Sequence, residues 1–213
     1  MEPNLSENAL SSFYCPIAGI TEPWEVAIQA ARSIELNGGR VFKGKRLVEV
    51  AKKDGKFELS FEDGSTYTAD LVINAAGLYA DEVAKLFGDD VPKIFPIKGE
   101  YFLLGKDVRY VNSVIFPMPS ELTKGCLVIP TVDGGFLAGP TAHGVQSKQD
   151  FSTTRDGLAE VKEKTLKLIP SLDFSRNVVK TFAGLRPESG GKDFYIDVGT
   201  DNVIHVSGIR SPG

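Results

Sequence analysis

The sequence predicts a mixed α/β fold, in part α+β: a layered sheet carrying a β-meander, joined to an antiparallel-sheet module. Three observations predict it. Residues 46–68 break into short alternating runs at Asp54-Gly55 and Asp63-Gly64, and Asp-Gly between alternating runs is a strong hairpin signal. Leu71–Asn74 is nearly all apolar, as in a strand covered on both faces, and leads through Ala75-Ala76-Gly77 into a helical pattern. After Pro92, short apolar runs are separated by Gly and Pro, and no long helix interrupts them until residue 156.

Element by element, Thr21-Glu22-Pro23 supplies an N-cap and an early-turn proline, so a helix is expected from about Glu22 to Leu36. Trp24, Ala27, Ile28, Ala31 and Ile34 repeat at three and four residues, and Asn37-Gly38-Gly39 supplies the stop. Val41-Phe42 is expected to begin a strand. The meander follows, with strands at Leu47–Val50, Lys56–Phe61 and Thr66–Thr68. Leu71–Asn74 is the buried strand, and Ala80–Phe87 the helix, closed by Gly88. Strands are then expected at Ile94–Leu104, Val114–Phe116, Cys126–Pro130 and Gly135–Ala138. A helix over Asp156–Ile169 ends at Pro170, and strands at Val178–Thr181, Phe194–Val198 and Val203–Val206 finish the chain.

This order divides the chain into three stretches: a first module over 1–91, an antiparallel module over 92–185, and a return to the first module over 186–213. Leu71–Asn74 and Val203–Val206 are expected to be neighbours in one sheet, with an open edge available to another chain. Two modules of this kind commonly hold a ligand.

Composition removes whole classes of function. With 213 residues, 42% hydrophobic and 24% charged, the chain can bury a substantial core and is neither disordered nor fibrous. Twenty-four Lys and Arg against 28 Asp and Glu give a net charge of −4, which excludes the basic footprint of a nucleic-acid binder. Cys15 and Cys126 match no metal or redox spacing, and no His-rich or Cys-rich cluster appears, so no metal is expected. No apolar run approaches the roughly 20 residues of a membrane span. Free thiols and the absence of a signal-peptide pattern point to the cytoplasm.

The segments "EPNLS", "IAGITEPWE", "LVINAAGLYADEVA", "PIKGEYFLL", "VIPTVDGGFLAGPTA", "FAGLRPE" and "VIHVSGIRSPG" stand in one order along nearly the whole chain. In that order they resemble the middle and end of FAD-dependent amine and hydroxy-acid oxidoreductases of the D-amino-acid-oxidase superfamily. Within it they are most similar to the glycerol-3-phosphate dehydrogenase and L-2-hydroxyglutarate oxidase group. The resemblance implies a partial FAD-binding layered sheet and a substrate-binding module. It also implies that the β-α-β unit carrying the dinucleotide fingerprint and a helix after "SPG" belong to a longer parent, so weak or no FAD binding and no activity are expected of this chain alone.

Residue by residue, the resemblance places Asn74, Ala75, Ala76 and Gly77 beside the nucleotide; the bare pattern equally describes a strand-to-helix turn with no ligand. It makes Gly208, Ile209, Arg210 and Gly213 the turn that offers backbone N–H groups to the flavin. Arg186 in "AGLRPE" is the expected grip on an anionic group, since its planar fork suits carboxylate and phosphate alike; a surface salt bridge is the alternative. Lys98 borders the substrate cavity in the family, although "KGEYFLL" also reads as strand scaffold. Of the two histidines, His143 in a loop is the candidate base, whereas His205 in an apolar strand reads as a satisfied buried side chain. The implied partner is a small anionic hydroxy substrate, glycerol 3-phosphate or a 2-hydroxy acid such as L-2-hydroxyglutarate; the electron acceptor stays unassigned. A module without flavin that only binds substrate is the reading of another class, because the chain lacks G-x-G-x-x-G.

Overall fold

The computed structural model describes residues 2–106, 110–119, 125–191 and 193–210. In chain order the elements are α1 (Pro23–Leu36), β1 (Leu47–Lys53), β2 (Lys56–Phe61), β3 (Thr66–Ala69), β4 (Val72–Asn74), a 3₁₀ turn (Gly77–Tyr79), α2 (Ala80–Leu86), β5 (Phe95–Leu104), β6 (Leu127–Pro130), β7 (Phe136–Gly139), β8 (His143–Gly144), α3 (Arg155–Leu168), α4 (Phe174–Asn177), β9 (Val178–Glu188), β10 (Tyr195–Val198) and β11 (Val203–Ser207). The chain divides into two compact units: residues 1–28, 98–143 and 149–184 form one, and residues 29–97, 144–148 and 185–213 the other.

The second unit carries the meander and a small mixed sheet. β1, β2 and β3 pair antiparallel in that order. Asp54 and Gly55 both take positive φ, 51° and 78°, the conformation a two-residue hairpin requires. β11 lies between β10, which is antiparallel to it, and β4, which is parallel. The predicted neighbours therefore do pair, with Asn74 opposite His205. The expectation that Leu71–Asn74 is covered on both faces is corrected: Leu71 and Ile73 are 53% and 59% exposed, and β4 ends the sheet. Phe57, Ala80, Ala84, Ile94 and Val203 form the buried apolar residues here, and Phe57 meets Phe87 edge-on at 5.4 Å.

The first unit holds the larger core. Leu104, Tyr110, Cys126, Val128, Phe136, Val161, Ile169 and Phe174 pack together, so strands β5–β7 and helix α3 bury one shared apolar face. Thr154 caps α3 by accepting the Gly157 N–H at 3.0 Å. β6, β7 and β5 are antiparallel neighbours, and β9 pairs with β5.

Three sequence expectations differ from the structure. Val41-Phe42 is not a strand; the Phe42 ring instead packs against Tyr67, tilted by 43° with the centroids 4.9 Å apart. Val114–Phe116 is not a strand either, since Ile115 makes only an isolated bridge to Val128. The strand expected over Val178–Thr181 runs on to Glu188, through Gly184 and Pro187. Proline lacks an N–H but is tolerated where the ladder does not need that donor, so its presence did not end the strand. Helix α1 forms where its caps place it, yet none of its residues is buried.

Candidate functional site

β4 and β11 run parallel, so the turns that follow them leave the same end of the sheet. Open parallel sheets bind ligands outside the carboxyl ends of their strands. After β4 come Ala75 and Ala76, both exposed, then Gly77 at φ 56°, where an added Cβ would meet no atom within 4 Å. After β11 comes Gly208 at φ 68°; a Cβ there would fall 2.7 Å from Ser189 Oγ. One turn is thus open to close approach and the other excludes a side chain.

Asn74 sets the first turn. It is 3% exposed, and its amide nitrogen donates to the Ala80 carbonyl at 2.8 Å while its Oδ1 accepts the Ala76 N–H at 3.3 Å. These bonds close the loop between strand and helix from inside. Lys148 fastens the start of α2, reaching Asp81 at 2.7 Å and Glu82 at 2.9 Å. Burial pushes the Asp81 carboxyl up, but Lys148 and the Ile94 N–H outweigh it and hold the group below its ordinary range.

Ser207, at the end of β11, is 2% exposed, and its hydroxyl finds no partner among the described residues. An orphaned buried hydroxyl at the strand end before the Gly208 turn suits a ligand with hydrogen-bonding edges, as a flavin nucleotide has. The open alanine turn, the glycine that excludes a side chain and the free hydroxyl all fit such a group.

Arg186 lies in β9, and not between a strand and a proline turn as the sequence suggests. It is half-buried, and its guanidinium has no hydrogen bond or ion pair to the described residues. Glu188, two residues on and therefore on the same face of the strand, pairs with Arg210. The backbone of Arg186 is thus about 7 Å along the strand from that of Glu188, whose carboxylate holds Arg210. Ile209 is half-buried beside it, and Gly213 lies outside the described residues.

The remaining candidates belong to the other unit. His143 is in β8, its side chain 49% exposed, and Nε2 lies 2.8 Å from Glu160. Lys164 first, and His143 with it, hold the Glu160 carboxyl below its ordinary range. With Nε2 donating to Glu160, Nδ1 keeps the lone pair in the neutral ring. Lys98 is 3% exposed and bonded to Asp150 at 2.6 Å and to the Ser152 carbonyl at 3.1 Å. Lys98 and then Ser152 pull Asp150 down to about 2. Two residues along the same strand face, Glu100 is 1% exposed and accepts from the Thr154 N–H and, at 3.2 Å, the Thr154 hydroxyl.

Sequence reading missed Glu188, Ser207 and the partners of His205. The alternation of buried residues at 203, 205 and 207 was the available signal for Ser207. Nothing in sequence joins Asp89 to His205 across 116 residues.

A parallel strand pair opening onto two small-residue turns has the features of a flavin-dependent oxidoreductase. The family described as DAO, FAD dependent oxidoreductase, matches residues 1–213, and the chain belongs to it. A glycerol 3-phosphate dehydrogenase of Caloramator mitchellensis is 37% identical over 219 residues, covering 100% of this chain and 45% of that protein. An L-2-hydroxyglutarate dehydrogenase of Indibacter alkaliphilus is 28% identical over 159 residues, covering 72% of this chain and 40% of that one. Among solved structures, dithionite-reduced L-alpha-glycerophosphate oxidase from Mycoplasma pneumoniae with FAD bound superposes with a TM-score of 0.78 at 28% identity, over 86% of this chain and 50% of that one. The chain spans about half the length of the relatives it matches. Among the described residues, no helix is long and apolar enough to cross a membrane.

Proposed function

We propose that this chain forms part of an FAD-dependent dehydrogenase that oxidises glycerol 3-phosphate. The observation that carries the reading is Arg186, a half-buried guanidinium without a partner among the described residues, one pleat from the Glu188–Arg210 pair. An unpaired, partly desolvated arginine is a strong site for a phosphate or carboxylate. Bound FAD would supply the hydride acceptor. Asn74 to Gly77 and Gly208 to Arg210 would line the nucleotide, and Arg186 would fix the substrate anion; in the other unit His143 is the candidate base, with Nδ1 as the atom that would take a proton. Lys98, already engaged by Asp150, would shape the substrate module through that pair.

The substrate choice rests on the 37% identity to a glycerol 3-phosphate dehydrogenase. L-2-hydroxyglutarate is the second reading, favoured by the Indibacter relative and by the fit of an arginine fork to carboxylate as well as phosphate. The test is FAD retention after gel filtration of the protein extended to the length of its relatives, followed by anaerobic addition of either substrate. Bleaching of the flavin by glycerol 3-phosphate supports the proposal, and bleaching by L-2-hydroxyglutarate alone overturns the substrate assignment.

A further inference from the structure

We propose that His205 is a positioning residue for the Ala75–Gly77 turn. The assignment rests on reading that turn as facing the nucleotide. His205 is 1% exposed in β11 and engaged at both ring nitrogens: Nδ1 lies 3.0 Å from Asn74 Nδ2, and Nε2 lies 2.8 Å from Asp89 Oδ2. The tautomer follows from the neighbours. Asn74 Nδ2 is identified as the amide nitrogen because it faces the Ala80 carbonyl, while Oδ1 faces the Ala76 N–H. Its second hydrogen therefore points at Nδ1, which must be the acceptor. Nε2 carries the proton and donates to the Asp89 carboxylate.

Asp89 is held in turn. Its Oδ1 accepts the Thr200 N–H at 2.9 Å and the Thr200 hydroxyl, and its side chain is 10% exposed. Gly199 leaves the room: a Cβ there would fall 2.2 Å from Asp89 Oδ2 and 2.6 Å from His205 Nε2. The relay therefore runs from Thr200 through Asp89 and His205 to Asn74, which gives one amide hydrogen to His205 and uses the other, with its oxygen, to fix the strand-to-helix turn. Removing the ring nitrogen that faces Asn74 frees one amide hydrogen in a buried site, and the turn loses its orienting contact.

The test measures amide hydrogen exchange at Ala76 and the following residues in the wild-type chain, His205→Leu and His205→Asn, with melting curves recorded alongside. Asparagine places its Oδ1 near the position of Nδ1, so it restores the acceptor for Asn74 while losing the reach to Asp89. His205→Leu is expected to raise exchange at Ala76 by about tenfold, the factor one hydrogen bond supports, and His205→Asn to return most of it. Equal exchange in wild type and His205→Leu, or equal behaviour of the two variants, overturns the assignment. If His205→Leu does not fold, Asp89→Asn is measured instead; the relay requires faster exchange at Ala76 there too, and unchanged exchange overturns it. A parallel FAD titration of the protein extended to the length of its relatives separates the two claims: failure of that protein to bind FAD counts against the nucleotide reading, and the exchange comparison still decides the role of His205.

Discussion

Replacing Gly157 by alanine is expected to destabilise the protein, although alanine is the better helix former. In an exposed helix interior the change would stabilise by about 1 kcal/mol. Here the new Cβ would lie 1.8 Å from Glu100 Oε2 and 2.5 Å from its Cδ, far inside contact distance. Glu100 is 1% exposed and cannot swing into solvent without breaking both bonds to Thr154. Hydrogen bonds to a charged group contribute about 1.5–3 kcal/mol each, and the loss of one or both outweighs the gain in propensity. The net cost is about 2–4 kcal/mol. Urea unfolding of Gly157→Ala, Glu100→Ala and the double variant gives the coupling directly. The reasoning requires the double variant to be less impaired than the sum of the singles. A neutral or stabilising Gly157→Ala would refute it.

Further outcomes follow from the same geometry. Arg186→Ala in the flavin-loaded enzyme should lower kcat/KM on the order of a hundredfold, matching about 3 kcal/mol for a lost charge-assisted anion contact, with Arg186→Lys recovering only part; steady-state kinetics check this. Asp150 has a folded pKa below its ordinary 3.8, at about 2. Its contribution is therefore complete above pH 4 and lost as pH falls toward 2, so acid unfolding of Lys98→Met should depend less on pH in that window. Gly199→Ala should perturb the Asp89–His205 contact, seen as faster exchange at Ala76. The open edge of β4, with Ile73 59% exposed, should support concentration-dependent self-association that Ile73→Lys suppresses in sedimentation velocity.

Local chemistry made much of the fold legible. Asp54-Gly55 and Asp63-Gly64 dictate the meander because their backbone needs are intrinsic, and Gly88 marks a helix end at positive φ. Legibility failed where tertiary context decides. Gly184 and Pro187 look like breakers but sit inside β9, and the apolar run at Leu71–Asn74 does not reveal that one of its faces is exposed. In the candidate site, the alanine turn and the Gly208 turn were visible as small-residue stretches. The Arg210–Glu188 and His205–Asp89 pairs were not, because both join residues far apart in sequence.

The most direct measurement is an anaerobic visible spectrum of the FAD-loaded protein, extended to the length of its relatives, on adding glycerol 3-phosphate, with Arg186→Ala beside it. The account predicts loss of the oxidised-flavin bands in the wild type, and in Arg186→Ala only at much higher substrate concentration. An oxidised spectrum unchanged by glycerol 3-phosphate, or bleaching that is indifferent to Arg186, would contradict it.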